Sequence, residues 1–80
     1  MASMMAGLVD YLSKALVDNP EEVKVQERDE GDRVIVRLDV AEGDWGKVIG
    51  KGGRIASAMR SLMKVAAVKE DVRAGLEIGD

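Results

Sequence analysis

The sequence predicts an α+β fold in the order αββααβ, a three-stranded mixed sheet with three helices on one face. Three observations predict it. Apolar residues alternate with polar ones at Val23 and Val25, at Val34, Val36, Leu38 and Val40, and at Val72, Ala74, Leu76 and Ile78, the pattern of strands with one buried face. Elsewhere apolar residues recur at three- and four-residue spacing, the period of amphipathic helices. Two helical stretches separate the second strand from the last, and a crossover of that length makes those strands parallel neighbours. Each strand offers a single inward run, so all the helices belong on that side.

Taken in order, Ser3 is the expected cap of a helix that turns Met5, Leu8, Val9, Leu12 and Leu16 inward, and Asn19-Pro20 stops it. The strand at Val23–Val25 and the strand at Val34–Val40 form a hairpin around Asp29-Glu30-Gly31-Asp32, which has turn chemistry. Gly43-Asp44 opens a short helix through about Ile49. A longer helix from about Arg54 to Lys69 turns Ile55, Met59, Leu62 and Ala66 inward, and the last strand closes the chain. The 80 residues are expected to form one domain, which buries roughly 60 to 65 per cent of its unfolded surface.

Between the short helix and the long one stands Val48-Ile49-Gly50-Lys51-Gly52-Gly53-Arg54-Ile55. Glycines framing a turn allow positive φ and close backbone approach. Lys51 and Arg54 add charge, and the helix starting at Arg54 adds unpaired amides and the positive end of its dipole. This is the chemistry of a phosphate-contacting loop. It is not a P-loop, which requires four residues between its first glycine and Gly-Lys, then Ser or Thr. Here only three residues separate Gly46 from Gly50-Lys51, and Gly52 follows. A dinucleotide fingerprint would need glycine in place of Ile55 and a strand leading into the loop.

Charge is segregated. The net charge of −3 argues against a polyanionic partner, but residues 45–69 hold six basic side chains (Lys47, Lys51, Arg54, Arg60, Lys64, Lys69) and no acid, giving +6. The rest of the chain holds 6 basic and 15 acidic groups, or −9. A local positive field in an acidic body favours a small, salt-sensitive polyanion contact over general adsorption. With no histidine and no cysteine, the usual general base, zinc ligands and disulfides are all absent, and the acid-free window has no carboxylate to act as base. The sequence is therefore read as that of a binding protein and not of an enzyme, with no cofactor and no metal. No signal peptide or membrane span is expected at the amino terminus, whose apolar stretch is broken by Asp10 and Lys14.

The G-x-x-G of Gly50–Gly53, preceded by Val48-Ile49 and followed by a basic residue and Ile55, resembles the backbone-clamping loop of KH domains. With its element order, the chain resembles over nearly its whole length a type II KH domain, closest to the small single-domain bacterial KH proteins of the KhpA family. That resemblance implies a cytoplasmic protein that binds single-stranded RNA and acts as an RNA chaperone or post-transcriptional regulator. It implies contacts from Lys47, Val48, Ile49, Gly50, Lys51, Gly52, Gly53, Arg54 and Ile55, with bases lying in an aliphatic cleft formed by Val48, Ile49, Ile55 and the facing strand 34–40. The few aromatics, Tyr11 and Trp45, fit an aliphatic cleft better than a stacking platform. Trp45 is a departure, since close relatives carry a smaller aliphatic residue there; it is a packing anchor or a stacking surface. The resemblance also implies a second KH unit, either a larger KH-containing protein or another copy of this chain. The competing reading is a KH-fold interaction subunit, with Ile35, Val65 and Val68, which fall off the inward faces, as an apolar contact patch.

Overall fold

The computed structural model describes residues 4–79. The helix α1 spans Met4–Leu16, the strands β1 and β2 span Lys24–Asp29 and Arg33–Asp39, α2 spans Trp45–Ile49, α3 spans Arg54–Glu70, and β3 spans Arg73–Ile78. The expected order αββααβ is present, with single 3-10 turns at Pro20–Glu22, Glu42–Asp44 and Lys51–Gly53. The sheet runs β1-β2-β3, with β1 antiparallel and β3 parallel to the central β2. The expected cap Ser3 lies outside the described residues.

The alternation in β2 does what its period requires. Val34, Val36 and Leu38 face the helices and are buried with Met5, Val9, Val48, Met59, Met63 and Leu76 in one core. The hairpin turn forms where Asp29, Gly31 and Asp32 predict it: the Asp29 carboxylate accepts the Gly31 amide at 3.0 Å, and Gly31 has φ +87.

Three assignments shift. In α1 the buried face is Met5, Ala6, Val9 and Ser13, and Leu16 is exposed while Val17 enters the core. In α3 the buried stripe is Ala56, Met59, Met63, Ala66 and Ala67, so Leu62 stands outside and Met63 takes its place. Both helices offer more apolar residues than one face can bury, and the neighbours decide which set goes in. Ile35 is the third correction. It lies on the sheet face away from the helices, as alternation requires, yet is only 7% exposed. Its cross-strand neighbour is Gly75, and a Cβ there would come within 2.7 Å of Ile35 Cδ1, so Ile35 fills the space that glycine leaves. It is therefore not part of an exposed contact patch, whereas Leu62, Val65 and Val68 are exposed on α3.

Candidate nucleic-acid interface

The glycine loop is built by three left-handed residues and a set of backbone hydrogen bonds. The Gly50 amide ends α2 by donating to the Gly46 carbonyl at 2.9 Å, and the Gly53 amide donates to the Gly50 carbonyl at 3.1 Å. Gly50, Gly52 and Gly53 have φ of +77, +66 and +79, values that glycine adopts without the Cβ penalty. At Gly50 the requirement is also steric: a Cβ would lie 2.7 Å from Ile55 Cγ1 and 2.9 Å from the Ile55 amide nitrogen. Gly52 and Gly53 have open space on that side. The first framing glycine thus lets the start of α3 close on the end of α2, while the inner positions shape the tip. No side chain caps α3, whose Arg54 amide donates to the Lys51 carbonyl, and the positive end of its dipole faces the turn.

Of the nine residues expected at the interface, the structure brings Gly50, Lys51, Gly52, Gly53 and Arg54 together on this surface turn, with Ile49 and Ile55 packed on the core beneath it. Lys51 and Arg54 are exposed and have no ion-pair partner among the described residues. Val48 is fully buried, so it anchors the loop and reaches no ligand. Lys47 is turned back: its Nζ lies 3.1 Å from Asp18 and 4.0 Å from Asp44. It is the one cation of the basic window engaged this way among the described residues.

The facing strand is corrected. Segment 34–40 is mostly the central strand β2, whose Val34, Val36 and Leu38 are buried, so it presents no wall to a ligand. The wall beside α3 is β3, an edge strand of the sheet. An open cleft of about 230 Å³ runs between them, lined by Arg60, Met63 and Lys64 from α3 and by Ala74, Gly75 and Leu76 from β3. The Arg73 amide bonds to Asp32 and the Gly79 amide to Leu38, so alternation turns the backbone groups of Ala74, Leu76 and Ile78 to the free edge. Arg60 and Lys64 are legible as basic residues of the window, and their four-residue spacing places them on one helix face. Which strand they face is decided by the sheet.

One residue that carries much of the site's construction has no signal in the sequence beyond its place at a helix start. Asp44 is 1% exposed and accepts hydrogen bonds from the Asp18 amide (3.2 Å), the Asn19 amide (3.0 Å) and Asn19 Nδ2 (3.1 Å). It fastens the end of α1 to the start of α2, and so fixes the base of the loop. Burial pushes the Asp44 carboxyl up, but these three donors and the Lys47 charge outweigh it and hold the group below the ordinary carboxylate value. Trp45, next to it, is half-buried in the first turn of α2.

No helix among the described residues is long and apolar enough to cross a membrane. The sequence model of the KhpA/KhpB KH domain matches residues 6–78. The chain is similar to the RNA-binding protein KhpA of Caldanaerobacter subterraneus subsp. tengcongensis, 53% identical over 74 residues, covering 92% of this chain and 99% of that one. It is similar to the RNA-binding protein KhpA of Halalkalibacterium halodurans, at 46% identity over 95% of this chain and 100% of the relative. It is likewise similar to that of Clostridium acetobutylicum, at 50% identity over 92% and 99%. No solved structure matches the chain at a significant level. A match over nearly its whole length, with the glycine turn, the helix pair and the mixed sheet in place, shows that the chain belongs to the KhpA/KhpB family of KH domains, a non-enzymatic family.

Proposed function

We propose that this protein binds single-stranded RNA through the Gly50–Arg54 turn and the cleft that α3 and β3 enclose, and acts in the cytoplasm as an RNA chaperone or post-transcriptional regulator. The observation that carries the reading is a surface turn of left-handed glycines flanked by the unpaired Lys51 and Arg54, opening onto a cleft whose cations, Arg60 and Lys64, also lack acid partners among the described residues. The names of the relatives support the same ligand. In this reading phosphates meet the turn and the start of α3. Bases lie along the aliphatic cleft, with their edges toward the free backbone groups of β3.

Replacing Lys51 and Gly52 together by Asp tests the clamp. Both positions are exposed, Gly52 has room for a side chain, and aspartate tolerates the left-handed conformation better than most residues. The expected result is a folded protein whose affinity for an unstructured RNA oligomer falls at least about tenfold, since two anions stand where a phosphate would sit. A folded double variant with unchanged affinity overturns the assignment. Affinity of the unsubstituted protein should fall with salt at a log-log slope of roughly −2 to −3, as expected for three or four neutralised phosphates on a single strand.

About four nucleotides fit a KH cleft, which gives little discrimination among transcripts. We therefore infer that function engages a second KH unit, either a larger KH-containing protein or another copy, because joining two sites multiplies their affinities by an effective concentration. Leu62, Val65 and Val68, at 46%, 60% and 80% exposure, are the apolar residues that favour such a contact. Sedimentation at micromolar concentration, alone and with a KH-containing partner, reads it out. A strict monomer with nanomolar affinity for a defined RNA would exclude it.

A further inference from the structure

The cations outside the basic window are not scattered. Five of those six, Lys24, Arg28, Arg33, Arg37 and Arg73, come from the sheet, and the register puts them all on the face opposite the helices. Two of them are held by acids: Arg28 bonds Glu30 and Glu77, which keeps its guanidinium more basic than usual, and Arg37 bonds Asp39. Arg33 and Arg73 are different. They are direct cross-strand partners on β2 and β3, like charges placed side by side, and neither guanidinium has an acid partner among the described residues. A like-charge pair directly across a sheet is destabilising. In a chain with 15 acids available, leaving this pair unneutralised makes it a place where an external anion is stabilising on both counts.

The hollow beside the pair gives that anion a location. Arg33, Arg73 and Lys64 line an open space of about 390 Å³ floored by Ala67, Val68, Val72 and Ala74, with Val68 also at the end of the exposed apolar row of α3. It shares Lys64 and Ala74 with the cleft already described, so the two are consecutive along the seam between α3 and β3. The carboxyl end of α3 contributes roughly half a negative charge near this hollow, against three unit positive charges from the side chains. An adjoining hollow that shares Ala67, Val68, Val72 and Arg73 with it is lined also by Asp32 and Asp71, so these two carboxylates border the space and the positive track ends there.

We propose that Arg33, Lys64 and Arg73 form a second phosphate station at the far end of the seam, which takes a backbone phosphate of the same RNA strand after it has passed along the cleft from the glycine turn. The hollow reaches Val68, fourteen residues along α3 from Arg54, about 21 Å at the helical rise. The station therefore lies at the far end of the stretch that a four-nucleotide segment occupies, and it extends the footprint of one domain. It rests on the single-stranded RNA reading and adds a length dependence to it.

The test compares an RNA tetramer with an unstructured oligomer about twice as long, using the unsubstituted protein and the double variant Arg33→Gln/Arg73→Gln. The expected result is that the unsubstituted protein gains affinity with length. The double variant should bind the tetramer unchanged but the longer strand roughly three- to tenfold more weakly. Its salt slope on the longer strand should also be shallower by about 0.7 for each phosphate that is no longer neutralised. Its urea midpoint should be equal to or above that of the unsubstituted protein, because a repulsive pair is gone, and Arg33→Lys/Arg73→Lys should retain the long-strand affinity. If the Gln variant matches the unsubstituted protein on both lengths, the station is wrong while the clamp stands. If the unsubstituted protein binds neither oligomer, the RNA reading fails and this inference falls with it.

Discussion

Replacing Gly50 by alanine should lower the unfolding free energy by about 2–6 kcal/mol, from about 1–3 for a backbone region that only glycine occupies readily and about 1–3 for overpacking. At φ +77 and ψ 170 the residue is in that region, and the added Cβ would meet Ile55 Cγ1 at 2.7 Å and the Ile55 backbone nitrogen at 2.9 Å. The side chain can rotate away, but the backbone nitrogen belongs to the first turn of α3 and cannot move without displacing the helix. An 80-residue domain has a total stability of about 4–12 kcal/mol, so the change removes a large part of it. Gly52→Ala is the control: its φ is +66, but nothing lies within 4 Å of the added atom, so it should cost only about 1–2 kcal/mol. Urea midpoints at matched slopes compare them. Equal losses at the two positions would show that backbone conformation alone, and not the approach of α3, makes Gly50 a glycine.

The second large effect is expected at Asp44. Asp44→Asn keeps the size but loses the charge, and one oxygen becomes an amide donor facing the Asp18 and Asn19 donors. At neutral pH the variant should be clearly less stable and Lys47 left with Asp18 as its only acid partner among the described residues. The pH dependence has a definite sign. Because the folded carboxyl titrates below its unfolded value of about 3.9, the stability it contributes is fully present above that pH and is lost as pH falls through the folded value. The midpoints of the two proteins, measured from neutral pH downward, should therefore converge in the acid range. A gap that stays constant to the lowest pH would mean that the charge of Asp44 does not matter and only its shape does. The same variant should weaken RNA binding without touching RNA, since the joint between α1 and α2 sets the base of the glycine turn.

The sequence alone determined the element order, the hairpin turn, the helix-flanked glycines of the loop and the separation of charge, because each follows from local chemistry. Alternation fixes which face of a strand is apolar, and positive φ demands glycine wherever the chain turns so tightly. Periodicity says which residues share a face but not what covers that face. That is why the spacing turns Leu62 inward while the fold buries Met63, and why Ile35, on the correct outer face, is sheltered across Gly75. It is also why the cleft expected against strand 34–40 lies instead along β3: strand order is a property of the assembled sheet, and the central strand has no free edge to offer. By sequence Asp44 only starts a helix, and the arrival of residues 18 and 19 from the end of α1 makes it a buried acceptor. By sequence Arg33 and Arg73 belong to the acidic remainder of the chain. Only the parallel register brings them side by side, 40 positions apart in sequence, because cross-strand pairing depends on the crossover through α2 and α3 and on no pattern within either strand.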